Sequence, residues 1–541
     1  MEKQLTLRGM VIGVIGCIII TCSSMFIALK LSSLPWPIMF VALLSMVILK
    51  AMGHTSLNEI NVTHTAMSAG AMVAGGLAFT IPGIYMADPK AATNVLQLSA
   101  ITLGGVILGL IFTALYRKHF VVTEELPYPM GQAAADTLIA GDEGGKKSAW
   151  LFGSLGVAGL FAFLRDWVQA IPATWFSKSM MKYGSYTGFY FSPMLVAIGY
   201  IIGPLFIGVW FVGGLIGDVG ILFGGQKLGL FDAATAMNVK QSLGIGLMVG
   251  TGIGILCKSI LPKAKKIFGA MFSKENIGDS IISMRWAPIV MVILAAIFAT
   301  VCDMGVVASI ITIVGVWLAT AMSCQCVGQT GINPMEIFGI IILLAARGVA
   351  ALGGGSGLGS AAAIFVAATV AVACGLTGDV MNDFKAGEVL GTDPKAQWIA
   401  EVIGGLVGGV VSILVLMVIL KAYGPTSFGD PTIFPAAQAA AVSAMAKGIS
   451  SMPAFLIGLI AAIILYFVNF PVMTLGLGVY LPFYMTMTAF IGGALRFIVD
   501  KAKPGMEEKE GTGQIIAAGV LGGEGVIGVV IAIVMACQII F

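Results

Sequence analysis

The sequence predicts an all-α, polytopic membrane protein with about 14–16 transmembrane helices, formed by an internal duplication and including helices broken at Gly and Pro. Three observations support this fold class. Of the 541 residues, 58% are hydrophobic and only 10% are charged, whereas soluble domains are about 25% charged. Many apolar runs reach the ~20 residues that cross a bilayer core, and their continuity excludes a β-barrel. The two halves of the chain also carry similar segments in the same order.

The apolar runs give about fifteen candidate spans. They cover residues 9–29, 34–51, 62–86, 94–116, 149–172, 190–222, 240–258, 286–301, 303–322, 333–352, 358–377, 396–420, 453–469, 470–498 and 511–539. Between two of them, residues 375–395 ("GLTGDVMNDFKAGEVLGTDPK") contain four acidic residues and two lysines. This stretch is expected to be either a solvated connector or a place where a polar group is bound.

Basic residues set the predicted orientation. Residues 258–285 contain six Lys and Arg residues, so this loop and the basic N-terminus are expected to be cytoplasmic. An even number of crossings must then separate them, but seven apolar runs do. A broken helix or a double entry within the Gly- and Pro-rich residues 189–218 would restore the parity.

Four pairs of segments indicate the duplication, at offsets of about 270–300 residues. The pairs are 74–83 with 373–382, 101–112 with 402–413, 198–214 with 477–493, and 246–255 with 519–528. They predict two transmembrane halves, residues 1–285 and 286–541. Because substrate sites of such transporters often lie on interrupted helices at the repeat interface, the Gly- and Pro-interrupted pair 198–214 and 477–493 marks the expected site.

Charged residues within the spans need an explanation, because a charge at membrane depth costs roughly 2.5–3.5 kcal/mol on insertion scales. Glu524 lies among glycines in the last span, where either a hydrogen bond to another helix or a protonatable site would explain it. Glu401 follows Gln397 by one helical turn and shares its face. Asp379 and Asp383 share a face if the helix before them continues.

Residues 123–147 form a second polar stretch. Two prolines hold its beginning extended, and the following residues are expected to form a short helix that ends at Gly141. This helix is explained either as an amphipathic segment at the interface or as one that dips toward a substrate path. In the second case Tyr128 and Gln132 would be polar contacts.

Several functional classes lack support in the sequence. No nucleotide-binding P-loop is present, so energy must come from an ion gradient or from none. No nucleophile–base pair stands out, so we do not expect an enzyme. The cysteines form no metal-ligand cluster beyond the C-x-C of Cys324 and Cys326, so neither a metal nor another cofactor is expected. His64 opens a span, where packing or interface solvation is expected.

Six segments resemble the oligopeptide transporter (OPT) family, in the manner of a prokaryotic member related to the yellow-stripe-like branch. They are "NVTHTAMSAGAMVAGGLAFTIPGIY" (61–85), "LPYPMGQAAADTLIAG" (126–141), "GQTGINPMEIFG" (328–339), "NDFKAGEVLGTDPKAQ" (382–397), "LGLGVYLPFYMTMTAFIGGALR" (475–496) and "GVLGGEGVIGV" (519–529). The resemblance implies about 16 transmembrane segments formed by duplication. It implies proton-coupled uptake of small peptides, glutathione-like peptides or metal chelates across the cytoplasmic (inner) membrane.

These expectations lead to candidate residues. A proton symporter needs groups that bind and release H⁺, and our candidates are Asp383, Glu401 and Glu524. A tyrosine offers both an apolar face and a hydroxyl for varied peptides, and a lysine can meet a carboxylate. The candidate substrate-binding residues are Tyr128, Gln132, Asn382, Lys385, Tyr480 and Tyr484.

Two other functions remain open from the sequence. One is an ion-coupled carrier of another small organic solute or anion on a similar duplicated scaffold, and the other is a channel or a scaffold without transport. The expected partners are the small solute and the lipid bilayer, without nucleic acid. The sequence leaves open a homodimer and does not choose between peptide and metal chelate.

Overall fold

The computed structural model describes residues 4–31, 34, 38–91, 93–143, 145–263, 281, 283–352, 358–430, 433–446, 448–504 and 512–540. Most of the predicted cytoplasmic loop 258–285 lies outside the described residues. The described chain is almost entirely helical. Strands β1 (Thr174–Phe176) and β2 (Gly188–Tyr190) form one antiparallel hairpin, which the sequence did not predict.

The described helices are numbered α1–α21. The first eleven are α1 (Leu7–Leu31), α2 (Ile38–Met52), α3 (Leu57–Ala78), α4 (Pro82–Ala87), α5 (Val95–Arg117), α6 (Pro129–Glu143), α7 (Gly145–Asp166), α8 (Lys178–Met181), α9 (Pro193–Ile202), α10 (Pro204–Gly214) and α11 (Ala233–Gly254). Single π-helical segments extend three of them, at Lys118–Thr123, Leu215–Gly225 and Ile255–Ile260.

The remaining ten helices follow the basic loop. They are α12 (Ala287–Thr300), α13 (Gly305–Thr330), α14 (Met335–Leu352), α15 (Ser360–Leu390), α16 (Pro394–Tyr423), α17 (Ala437–Met445), α18 (Met452–Phe467), α19 (Val472–Tyr480), α20 (Phe483–Ala502) and α21 (Thr512–Ile540). Short 3₁₀ turns lie at Leu261–Lys263 and Pro425–Ser427.

Within the described residues, eight helices are long and apolar enough to cross a membrane, and four shorter apolar helices accompany them. Each predicted apolar run coincides with one of the helices or with a broken pair. Many large apolar side chains on their outer faces are exposed, as expected for contact with lipid. The prediction of an all-α, multi-pass membrane protein is therefore confirmed.

Both Gly- and Pro-interrupted segments are broken helices, as predicted. In the first, α9 ends at Ile202, Gly203 adopts a φ of +88°, and Pro204 begins α10. Such a positive φ suits glycine because a Cβ would be strained there. In the second, α19 ends at Tyr480 and α20 begins after Pro482.

The two broken helices pack against each other. Helix α9 lies on α20, and α10 lies on α19. The backbones approach so closely that a Cβ on Gly199 would collide with the carbonyl oxygen of Ala489, and a Cβ on Gly478 would collide with that of Trp210. Small residues at these crossings are what permit the contact.

The polar stretch 375–395 is mostly helix, which corrects the expectation of a loop that begins near residue 377. Helix α15 continues to Leu390, and only residues 391–393 connect it to α16. Gly391 ends α15 with a φ of +71°, and Asp393 caps α16 by accepting a hydrogen bond from the Lys395 N–H (3.0 Å). The helix continues because the polar side chains inside it are covered by neighbouring helices.

Helix α6 also differs from its prediction. It continues past Gly141 to Glu143, and its Ala-rich face is buried against α15 rather than lying at an interface. Gly141 packs against the Met46 side chain of α2. Gly141 therefore allows a close contact between α6 and α2, and it does not end the helix.

Candidate functional site

The candidate site is a group of three carboxylates at the centre of the bundle, called here the acidic triad: Asp379, Asp383 and Glu401. The two aspartates lie one turn apart on α15, and the glutamate lies on α16. All three residues are fully buried. One carboxylate oxygen from each residue lies within 4.8 Å of those of the other two.

Asp383 is the member of the acidic triad that has hydrogen-bond partners of good geometry among the described residues. His64 Nε2 lies 3.1 Å from one oxygen of Asp383, and the Ser68 hydroxyl donates to the other at 3.2 Å. Among the described residues, neither oxygen of Asp379 or of Glu401 has a hydrogen-bond partner of good geometry, although the Ser68 hydroxyl also lies near Asp379 and the Asp383 carboxyl near Glu401. Buried polar atoms without good partners are rare and costly, so these two carboxyls need protons or a ligand.

Close helix crossings bring the triad together. A Cβ on Gly408 of α16 would collide with the Cα of Gly70 on α3, and a Cβ on Gly404 would collide with the Ala66 carbonyl oxygen. On the other side of α3, Gly76 meets the backbone of Val372 on α15. Glycines thus let three helices approach at backbone distance, and their polar side chains share one buried space.

The charge balance of the triad is unfavourable without a ligand. Within the described part of the chain, His64 is the one basic side chain that pairs with any of the three carboxylates. Three ionised carboxylates in a low-dielectric interior would repel one another and lose their hydration. Protons or a bound cation must therefore neutralise the group. Oxygen ligands of this kind also suit hard cations, although the sequence predicted no metal site.

Three of the predicted substrate residues lie at the contact between α15 and helix α6. The Asn382 side chain accepts a hydrogen bond from the Gly131 N–H at 3.1 Å. Tyr128 is fully buried, with its hydroxyl donating to the Cys324 carbonyl oxygen at 3.0 Å. Gln132 donates to Asp136 within α6 (3.0 Å).

Lys385 completes the predicted residues of α15. It is partly buried, two residues after the last aspartate of the triad. Asn382 and Tyr128, by contrast, have their polar groups engaged within the protein. A substrate would therefore reach these two side chains only by replacing an existing hydrogen bond.

The remaining substrate candidates lie on the second broken helix. Tyr484 packs its ring against Phe176 and Tyr190 of the β-hairpin, at centroid distances of 5.3 and 6.3 Å. Tyr480 is the last residue of α19 and is half-buried. The six predicted substrate residues thus form two groups, one around α6 and α15 and one around the break between α19 and α20.

Glu524 lies apart from the acidic triad and is fully partnered. Its carboxylate pairs with Arg165 (2.9 Å) and accepts hydrogen bonds from the Ser192 hydroxyl (2.8 Å) and the Met194 N–H (2.7 Å). These contacts tie α21 to α7 and to the start of α9. Of the two explanations that the sequence left open, the contacts favour a structural tie between helices.

Sequence reasoning missed Asp379, His64 and Ser68 as members of the site. The i, i+4 spacing of Asp379 and Asp383 was noted, and Gln397 does share a buried face with Glu401, donating to the Asp383 carbonyl oxygen at 2.7 Å. The available signal on α3 was the helical spacing of its polar residues, Asn61, His64, Thr65 and Ser68. All four are fully buried.

A multi-pass helical bundle that buries ionisable side chains between its spans is typical of membrane transport proteins. The chain belongs to the OPT oligopeptide transporter family, whose model matches residues 4–535. It is similar to a Haemophilus influenzae protein described as a "Putative oligopeptide transporter", with 26% identity over 95% of this chain and 93% of that protein. The family is one of transporters rather than enzymes, as the sequence predicted.

Proposed function

We propose that the protein imports small oligopeptides, glutathione-like peptides included, by secondary active transport driven by inward movement of protons across the cytoplasmic membrane. The observation that carries the proposal is the buried acidic triad, in which four carboxylate oxygens have no hydrogen-bond partner of good geometry among the described residues. The similarity to the Haemophilus influenzae protein supports a peptide as the substrate.

The triad provides a physical basis for coupling. Asp383 keeps two hydrogen-bond partners, whereas Asp379 and Glu401 have none among the described residues. Protons on these two carboxyls stabilise the closed, buried arrangement because they remove the repulsion between like charges. Opening the site to water on the inside favours their release. Proton binding and the closed conformation thus stabilise each other, as symport requires.

The packing of the helices supports the proposal that residues 1–285 and 286–541 are two related halves, because equivalent helices make equivalent contacts. The four matched segment pairs relate α3 to α15, α5 to α16, α9–α10 to α19–α20, and α11 to α21. Exchanging each helix for its counterpart converts the α3–α16 contact into α15–α5, and the α9–α20 contact into α19–α10. Each of these contacts is present, which favours a two-fold arrangement of related halves.

Uptake into proteoliposomes tests the proposal. Labelled di- to tetrapeptides are expected to accumulate when the outside is acidic, and a protonophore should abolish the accumulation. Asp379→Asn and Glu401→Gln should each abolish gradient-driven accumulation but leave peptide exchange at equal pH, because each removes a proton site without changing side-chain volume. Glu388→Gln is the matched control. Glu388 lies on α15 as Asp379 does, but its side chain is exposed and pairs with Arg117.

Three outcomes would contradict the proposal. Accumulation of organic anions or metal chelates without peptides would assign another substrate. Peptide flux that does not depend on the proton gradient would indicate a channel. Unchanged accumulation in both triad variants would place the coupling site elsewhere.

A further inference from the structure

A buried ion pair lies beside the break in the second interrupted helix. Lys240 of α11 donates a hydrogen bond at 2.5 Å to Asp218, which lies in the π-helical segment that extends α10. The two side chains are only 6% and 1% exposed. Because the desolvation of two charges often outweighs their mutual attraction, stability alone does not account for this pair.

The pair contacts the backbone at the break itself. Lys240 also donates to the carbonyl oxygen of Leu481, the half-buried residue that follows α19, at 3.4 Å. Gly217, next to Asp218, packs so closely on α19 that a Cβ would collide with the Val479 carbonyl oxygen and crowd the lysine side chain. The two charges therefore lie directly against the backbone at the end of α19.

One oxygen of Asp218 is left over. Lys240 donates to Oδ2, whereas Oδ1 has no hydrogen-bond partner of good geometry among the described residues, although the backbone N–H groups of Phe483 and Tyr186 lie near the carboxylate. The lysine uses two of its three N–H groups in the described contacts. Because the ion pair as a whole is neutral, it lacks a hydrogen-bond donor and an acceptor, not a counter-charge.

Other polar side chains on the interrupted helices lack partners as well. Trp210 Nε1 on α10 and the hydroxyls of Thr474 on α19 and Thr486 on α20 are buried and have no hydrogen-bond partner within the described chain. The Trp210 ring lies against Gly478 of α19. Since buried polar atoms nearly always have partners, these groups indicate that the junction of the interrupted helices takes up a polar ligand.

We infer that Asp218 and Lys240 form a subsite for the main chain of the peptide substrate. In an extended peptide, the N–H and the C=O of one residue point to the same side, as in a hydrogen-bonded pair of antiparallel strands. The N–H donates to the free Asp218 oxygen, and the C=O accepts from Lys240. The inference rests on the proposed function. Because every peptide has the same main chain, this subsite binds peptides whatever their side chains are.

Methylation of single peptide nitrogens tests the subsite. Trialanine has two amide N–H groups, and a methyl group can replace the hydrogen of either one without changing the charge. We expect one of the two methylated peptides to enter proteoliposomes with a KM at least about tenfold higher than that of trialanine. The reason is that its methyl group leaves the buried Asp218 oxygen without a donor.

Asp218→Asn should remove this discrimination without changing side-chain volume. Lys240 would bind the amide oxygen, so the NH₂ group would replace the free carboxylate oxygen and could not accept from the peptide. Asp218→Asn combined with Lys240→Met removes both charges, so it leaves no lysine unpaired, and it should behave in the same way. The matched control is Asp142→Asn with Lys50→Met, because that Lys–Asp pair is exposed. It should retain the discrimination.

Displacement of a labelled peptide from purified protein in detergent repeats the comparison without transport, and size-exclusion profiles establish that the variants are folded. Equal affinities of the wild-type protein for all three peptides would overturn the inference while peptide transport itself stands. Discrimination that persists in both Asp218 variants would also overturn it and would make the ion pair a structural tie. If the wild-type protein neither binds nor takes up any peptide, the proposed function fails, and the inference fails with it.

Discussion

At the scale of single residues, the buried acids fall into two kinds according to their partners. Glu524 has a guanidinium, a hydroxyl and a backbone N–H around its carboxylate. Asp379 and Glu401 have no donor among the described residues, although they are buried at least as deeply. Burial alone therefore does not identify a functional acid. The presence or absence of a protein partner separates a structural charge from one that is left for a ligand.

The Glu524→Gln variant tests this distinction. Within the described part of the chain, the substitution leaves the buried Arg165 with Asp166 as its one charged partner, so we expect it to lower the free energy of unfolding by about 1–3 kcal/mol. The measurement is thermal unfolding in detergent, and Arg165→Gln combined with Glu524→Gln should recover part of the loss. The alternative prediction from the sequence is a proton site. Full stability with loss of proton-driven uptake, and with substrate binding retained, would support that alternative.

The residues of the site could be predicted only in part. Asp383 and Glu401 were predicted as proton candidates because acids within apolar sequence are unusual. Asp379 was noted only for its spacing, and His64 was expected to pack or to meet the interface. Their roles depend on contacts between residues more than 300 positions apart in the chain, such as that of His64 with Asp383 (319 residues apart). Local sequence patterns do not carry that information.

At the scale of helices, the apolar runs located most elements, but hydropathy misjudged where α15 ends. A hydropathy window interprets residues 378–390 as solvated because several are charged. In the folded protein the neighbouring helices α3, α6 and α16 bury Asp379, Asn382 and Asp383, and the helix continues. The broken helices were predictable, since Gly203-Pro204 and Pro482 interrupt the helical backbone by local chemistry alone.

The crossing of α3 and α16 provides a prediction for helix packing. Gly408→Ala places a methyl group against the Cα of Gly70, so the two helices must separate. We expect a loss of about 1–3 kcal/mol of stability and a smaller folded fraction on size-exclusion chromatography. Gly156→Ala is the control, because nothing lies within 4 Å of a Cβ at that position of α7. Equal behaviour of the two variants would show that the helices move apart without cost.

At the scale of the whole molecule, the crossing has a functional consequence as well. Helices α3 and α16 carry His64, Ser68 and Glu401, which complete the site around the two aspartates of α15. Their close contact fixes the distance between these groups. The broken helices α9–α10 and α19–α20 form a separate packed group. The molecule therefore combines a tightly packed acidic centre with a group of interrupted helices of the kind that many secondary transporters contain.

The orientation in the membrane is the remaining prediction. Helix α11 has 22 residues and a length of about 33 Å, which matches the hydrocarbon core, although its composition does not place it among the eight helices that are apolar enough to cross. We predict that it crosses within the bundle, with residues 258–285 in the cytoplasm and the exposed Leu228 outside. In a Cys257→Ser background, a membrane-impermeant maleimide should label Leu228→Cys in right-side-out vesicles and Ser273→Cys only in inverted ones. The background protein alone controls for the other cysteines. The reverse pattern would invert the topology, and labelling of both positions from one side would show that α11 does not cross.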